Sequence, residues 1–184
     1  NDDMFVYPTI LKNPKFGNWT SQLWLHYLKN DTSKFIGFNG SLSNGFYESF
    51  IGEPRFSSDD KKLLFVGGNC DGNQSHTTFY IIILQNPRLQ CNNLTNVVSA
   101  DWMPDRSIIL AQNNEQNDTI SIYQNGTEKV LYTKPIMTPD DTLNSSHIAS
   151  IKASHDGTKI ALWYYIRLYH ETQILDIEKG KIID

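Results

Sequence analysis

Three aspartates, Asp59, Asp105 and Asp156, occupy the same place in a recurring phrase of the chain. Each lies in a short turn, directly after Ser, Pro or His, and precedes a run of apolar residues. A carboxylate in such a turn can accept hydrogen bonds from the backbone N–H groups that follow it, which explains its recurrence without catalysis. The alternative, general acid–base work, needs a second titratable group in a defined pocket. His155 beside Asp156 is the one histidine that could supply it, and its position inside the turn marks it as a turn variant. The other histidines, His26, His76, His147 and His170, show no metal-binding spacing such as His-x-x-x-His. His26 and His170 fall in or beside apolar runs, where a hydrogen-bonded structural histidine is expected. Gly-x-Ser-x-Gly and a Gly-rich phosphate loop do not occur. The stretch Asn69, Asp71, Asn73 alternates oxygen-bearing side chains around Gly72, as calcium loops do. Its twelfth position is Tyr80, where such a loop wants a carboxylate. We read it as a glycosylated loop pinned by Cys70, with calcium as the alternative. The chain is expected to be non-catalytic, with no cofactor.

Two further residue sets concern the compartment. Asn-x-Ser/Thr occurs eight times, at Asn18, Asn30, Asn39, Asn73, Asn93, Asn117, Asn125 and Asn144. With 17 Asn and 28 Ser plus Thr in 184 residues, chance gives roughly 2.6 sites. The excess predicts a glycoprotein that passes through a secretory route to the cell surface, the extracellular space or a lumen. Cys70 and Cys91 are the two cysteines. One disulfide between them suits that compartment, with two buried free thiols as the alternative. The formal net charge of −4 and the absence of a basic run argue against a nucleic-acid surface. The longest apolar run, Phe79 to Leu84, has the length of a strand and falls far short of a membrane span.

The elements around the aspartates repeat. "EPRFSSDDKKLLFVGG" from Glu53, "VSADWMPDRSIILAQ" from Val98 and "ASIKASHDGTKIALWYY" from Ala149 each place an apolar strand after the turn. A second strand follows in each: residues 77–84, 119–124 and 171–178. Short turns containing Asn-Pro, Asn-Gly or Lys-Gly lead to a last strand. Four strands in a period of 40–50 residues are the pattern of a β-propeller blade. Helical periodicity is missing, and β-branched and aromatic residues fill the apolar runs. The predicted fold is therefore all-β: a propeller of about four blades of four antiparallel strands, at 3–38, 52–95, 97–133 and 148–184. The first blade is incomplete, because residues 3–10 and 21–38 supply its second, third and fourth strands and no first strand precedes them. That predicts either a segment of a larger propeller or a missing strand donated by another copy or partner.

The phrase "SHDGTKIAL" at 154–162 resembles the TolB-like β-propeller repeat, which also builds the propellers of prolyl-oligopeptidase-type and dipeptidyl-peptidase-type enzymes. "SSDDKKLLF" at 57–65 and "MPDRSIIL" at 103–110 depart from it by lacking the glycine, and the latter is one residue shorter. The resemblance covers roughly residues 21–184 and implies the fold more than a function. From the residues we expect a module for protein–protein interaction or self-assembly, with a surface or filament subunit as its specific form. The resemblance implies one alternative, an accessory propeller that gates substrates for a serine peptidase whose catalytic domain lies outside this chain. A periplasmic TolB-like protein fits the repeat but not the eight sequons.

Overall fold

The structure, a computed structural model, describes residues 4–12, 19–36, 40–42, 54–68, 77–85, 89–136, 147–166 and 169–183. All the regular elements among them are strands, arranged in four antiparallel sheets. The chain divides into two compact units, residues 1–93 and 94–184.

The first unit holds sheets A and B. Sheet A contains β1 (Met4–Lys12), β2 (Trp19–Tyr27), β3 (Thr32–Phe35) and β4 (Gly40–Leu42). β3 and β4 both pair with β2, at Trp24–Tyr27 and at Trp19–Ser21 respectively. Ile36 N–H continues the ladder onto the Leu23 carbonyl at 3.1 Å. β3 and β4 thus share one strand position, so sheet A has three positions where each of the others has four. β1 and β2 run in unbroken register from Met4 opposite Tyr27 to Lys12 opposite Trp19. Sheet B runs β5 (Arg55–Phe56), β6 (Lys62–Gly68), β7 (Thr77–Ile83) and β8 (Leu89–Cys91). Alternation along each strand decides what the two sheets share. Leu23 and Leu25 of β2 meet Leu63 and Phe65 of β6 and Tyr80 and Ile82 of β7 in one buried cluster. Phe65 and Tyr80 stack there with ring centroids 5.1 Å apart. Each fully buried side chain of this kind contributes about 1.5–3 kcal/mol.

The second unit holds sheets C and D. Sheet C runs β9 (Val97–Trp102), β10 (Ile108–Asn113), β11 (Asn117–Gln124) and β12 (Thr127–Pro135). Asn125 and Gly126 both have positive φ, 52° and 83°, so the β11–β12 hairpin closes on the turn type that Asn-Gly favours. Sheet D runs β13 (His147–Ala153), β14 (Lys159–Ile166), β15 (Tyr169–Asp176) and β16 (Lys181–Ile183). Ile109, Ala111 and Ile120 of sheet C pack against Ile148, Ile151, Ile160, Leu162, Tyr164 and Leu175 of sheet D.

Strand limits shift from the blade limits read in the sequence. The last strand position of sheet A reaches Leu42, β12 reaches Pro135, and β13 begins at His147.

Candidate functional site

The three aspartate turns share one hydrogen-bond design. In the turn before β14, the Ser154 hydroxyl donates to Asp156 Oδ1 at 2.7 Å, and Thr158 donates to it from N–H at 3.0 Å and from its hydroxyl at 2.9 Å. Lys159 N–H closes onto Ser154 Oγ at 2.9 Å. The turn before β6 repeats this with Ser57, Asp59, Lys61 and Lys62. The shorter turn before β10 has Met103 in place of the first serine, and Ser107 donates both its N–H and its hydroxyl to Asp105, at 2.9 and 2.6 Å. The residue after each aspartate takes positive φ: Asp60 at 54°, Arg106 at 69° and Gly157 at 71°. Two turns therefore hold a side chain where the third has glycine. The donors hold Asp156 down at about 2, with the Ser154 hydroxyl the largest cause, and hold Asp105 below the usual carboxylate range through Ser107. These carboxylates are occupied by their own turns.

Two other carboxylates, Asp101 of β9 and Asp118 of β11, are buried strand residues. Both reach the open edge of β13, the outermost strand of sheet D. Ile148 N–H donates to Asp118 Oδ2 at 2.9 Å, Ile151 N–H to Ser99 Oγ at 3.1 Å, and Ala153 N–H to Asp101 Oδ2 at 3.0 Å. Asn113 Nδ2 donates to the Ile148 carbonyl at 3.0 Å. Side chains of sheet C thus take the place of a fifth strand along β13. Orphaned backbone groups there would cost about 1–3 kcal/mol each. Asp101 also pairs with Lys152 Nζ at 3.1 Å, and Asp118 with His147 Nδ1 at 3.1 Å.

Around Asp118 the same end of the unit gathers more polar chemistry. Lys134 Nζ sits 4.1 Å from the centre of the Tyr164 ring. Among the described residues, the Tyr164 hydroxyl and Asn113 Oδ1 are buried and have no hydrogen-bond partner. Burial pushes the Tyr164 phenol well above the usual tyrosine value, helped by Tyr132, Asp118 and Glu171. An aspartate orienting a half-exposed histidine has the form of an acid–base pair. Asp118 holds both His147 Nδ1 and the Ile148 N–H, which makes the pair a latch on the start of β13. Among the described residues no group of three His, Cys, Asp or Glu could hold a metal ion.

The remaining features are two aromatic sheet faces. On sheet A, the register sets Phe5 opposite His26, Tyr7 opposite Trp24, and Trp24 opposite Phe35. Phe5 lies 4.8 Å from His26 and 5.8 Å from Tyr7, and Trp24 lies 5.6 Å from Phe35, by ring centroids. Phe5 is 44% exposed and Phe35 40%. Several polar atoms of the face bond to one another, and His26 Nε2 lies 3.4 Å from Asp31 Oδ1. Trp24 Nε1 donates to Thr9 Oγ1 at 3.2 Å, the Tyr7 hydroxyl donates to Ser33 Oγ at 3.2 Å, and His26 Nδ1 lies 2.9 Å from the same oxygen. On sheet D, His170 packs between Trp163 and Tyr165, 5.6 Å from each ring. Trp163 is 51% exposed and Tyr165 56%.

The residues singled out in the sequence are not brought together into one site. His26 and His170 belong to the two aromatic faces, and His155 is exposed in its turn. Asn30, Asn93 and Asn125 are exposed, and Asn117 is half-buried. The Thr32 hydroxyl donates to Asn30 Oδ1 at 2.8 Å across that sequon. Cys91 is half-buried in β8, and no described cysteine is free. Asn18, Asn39, Asn69, Cys70, Asp71, Asn73, His76 and Asn144 lie outside the described residues. Asp101 and Asp118 do not stand out in the sequence as site residues. Their one visible signal is a charged residue within an otherwise apolar or β-branched strand.

No protein-family model matches the chain, and no curated protein matches it. Solved structures do. TolB from Acinetobacter baumannii is similar at 21% identity and TM-score 0.63, over 97% of this chain and 42% of that one. The β-propeller domain of the Trilobed protease from Pyrococcus furiosus is similar at 16% identity and TM-score 0.60, over 98% and 53%. An oligogalacturonate lyase in complex with manganese is similar at 13% identity and TM-score 0.67, over 98% and 49%. The chain therefore has the fold of a TolB-like β-propeller. It spans about half the length of these three solved chains.

Proposed function

We propose that the chain is a non-catalytic propeller glycoprotein that acts as a protein-interaction or assembly module outside the cell, at its surface or in a secretory lumen. The observation that carries this reading is the pair of exposed aromatic sheet faces around Phe5 and Trp163. Contiguous aromatic surface in water marks an interaction site. The polar groups with acid–base character serve the backbone of β13 and their own turns, which supports a binding role over chemistry. The eight sequons support the compartment, and the exposure of Asn30, Asn93 and Asn125 leaves those three open to modification. We include the Cys70–Cys91 disulfide in the proposal, because that compartment would preserve it. Intact mass of protein purified from its source, before and after glycan removal, tests the compartment; an unchanged mass refutes it. Chemical cross-linking of that protein, read by mass spectrometry, tests the interaction role. Cross-links to partner chains beside Phe5 or Trp163 are expected, and their absence refutes it.

Similarity to the Trilobed protease propeller and to prolyl endopeptidases favours a second reading, an accessory propeller of a serine peptidase. A Gly-x-Ser-x-Gly nucleophile elbow in the same native polypeptide or its stable partner would establish it.

A further inference from the structure

We propose that glycans on Asn30, Asn93 and Asn125 shield the last-strand edges of sheets A, B and C and keep those edges from pairing with other strands. The inference rests on the glycoprotein reading above and deepens it by giving the glycans a place and a task.

The three exposed sequons share one relation to the fold. In each of sheets A, B and C, the last strand in chain order pairs on one side only among the described residues: β3 and β4 in A, β8 in B and β12 in C. Asn30 lies in the turn before β3, and its sequon threonine, Thr32, is the first residue of that strand. Asn125 lies in the turn before β12, and Thr127 is the first residue of that strand. Asn93 follows Cys91, the end of β8, by two residues. The three asparagines are exposed, and so are Thr32, Thr95 and Thr127. The aspartate turns before β6, β10 and β14 hold no sequon. Asn117 is the contrast: it is half-buried at the start of β11, which pairs on both sides.

The modification moves an oligosaccharide from a lipid-linked pyrophosphate donor to the asparagine. A bond forms between Nδ2 and the anomeric carbon, the bond from that carbon to the pyrophosphate oxygen breaks, and one amide proton leaves. At Asn30 the Thr32 hydroxyl donates to Oδ1 at 2.8 Å, which engages the amide oxygen and not the nitrogen that takes the sugar.

An open edge offers a row of backbone N–H and C=O groups to another strand. β3 is exposed at all four residues, Phe35 among them. β12 runs for nine residues, about 30 Å, and Val130 on it is 54% exposed. Its far end stops at Pro135, which has no N–H to offer, and a bulge shifts its register with β11 between Ile120 and Ser121. Its near end has Asn125, where a bulky, hydrated glycan excludes an incoming strand. The first strand of sheet D is protected by other means, the side chains of Asp118, Ser99 and Asp101 along β13.

The test uses the chain secreted from eukaryotic cells. Enzymatic glycan release in heavy-oxygen water turns each occupied asparagine into a labelled aspartate, read by peptide mass mapping. Label at Asn30, Asn93 and Asn125 is expected. Label confined to other sequons overturns the proposal and leaves the glycoprotein reading standing; label nowhere overturns both. Asn125→Gln then exposes β12. Sedimentation velocity at about 100 µM, where open edges associate, should show the mean mass rising about twofold or more above that of the parent protein, since one edge pairing joins two chains. Adding Val130→Lys, an edge charge, should restore the parent mass. An unchanged mass for Asn125→Gln overturns the proposal, as does a rise that Val130→Lys leaves in place. Should Asn125→Gln fail to fold, glycan release from the folded parent protein reads out the same rise.

Discussion

Replacing Asp118 with alanine should destabilise the chain by about 3 kcal/mol. Asp118 has no exposed surface, and its two carboxylate oxygens receive Ile148 N–H at 2.9 Å and face His147 Nδ1 at 3.1 Å. The substitution removes a hydrogen bond to a charged acceptor, worth about 1.5–3 kcal/mol. It also leaves a backbone donor orphaned at the start of β13, at about 1–3 kcal/mol, and the two amounts overlap. His147 loses a partner but is half-exposed and can turn to water, so no large charge penalty follows. Asp118→Asn keeps an acceptor for Ile148 and should cost about 1 kcal/mol. For a chain of this length, 1 kcal/mol corresponds to about 2–4 °C in Tm. The expected falls are about 6–12 °C for alanine and about 2–4 °C for asparagine, read by differential scanning calorimetry. Amide hydrogen exchange adds a local readout. Ile148 should lose protection in the alanine variant well beyond the global loss. A melting temperature within about 1 °C of wild type, with Ile148 still protected, would refute the reasoning that side chains of sheet C stand in for a strand along β13.

Other perturbations have defined outcomes. Gly157→Ala should cost more than Gly126→Ala: both have positive φ, worth about 1–2 kcal/mol, but at Gly157 a Cβ would also meet Pro104 Cδ at 3.1 Å and Cγ at 3.3 Å, whereas at Gly126 nothing lies within 4 Å. Thermal melts of the two variants give the comparison. Tyr164→Phe should leave stability unchanged or raise it by about 1 kcal/mol, because the hydroxyl it removes is buried with no partner among the described residues. A clear loss in urea denaturation would show that the hydroxyl is bonded. The pH dependence follows from the turn carboxylates. Asp105 and Asp156 titrate below the ordinary value in the folded chain, so their contribution is present above pH 3.8 and is lost as pH falls toward about 2. Near-UV dichroism between about pH 5 and pH 2 should follow that loss, and Asp156→Asn should flatten the acid limb. At the other extreme, Tyr164 keeps its proton in the folded chain while the unfolded phenol ionises near pH 10, so stability should fall as pH rises above 10.

How far the sequence could be read depended on the range of each interaction. The aspartate turns were legible because their partners lie within two or three residues: Ser154 and Thr158 surround Asp156, and Ser57 and Lys61 surround Asp59. The substitution of Asp60 and Arg106 for glycine did not hide the turns, since the backbone path is the same and each side chain accepts a positive φ. Propeller architecture was legible from the period of these turns. The split of one strand position of sheet A into β3 and β4 was not legible, because both pair with different stretches of β2. Asp101 and Asp118 escaped notice because their meaning depends on the neighbouring sheet. A carboxylate on a strand is a solvated charge or a buried cap according to what packs over it, here the edge of β13 some 30 to 52 residues away in sequence. The aromatic faces were visible as clusters such as "WLHY" and "WYY". Whether those rings pack between blades or face solvent depended on which sheet covers them.

The interaction role is tested most directly by the mass of the protein isolated from its source under non-denaturing conditions. Sedimentation equilibrium should give a mass above that of one glycosylated chain, whose 184 residues alone weigh 21.1 kDa. That mass should fall to a single chain when Phe5 and Trp163 are both replaced by aspartate. A single chain in both cases, with no partner co-sedimenting, would contradict it.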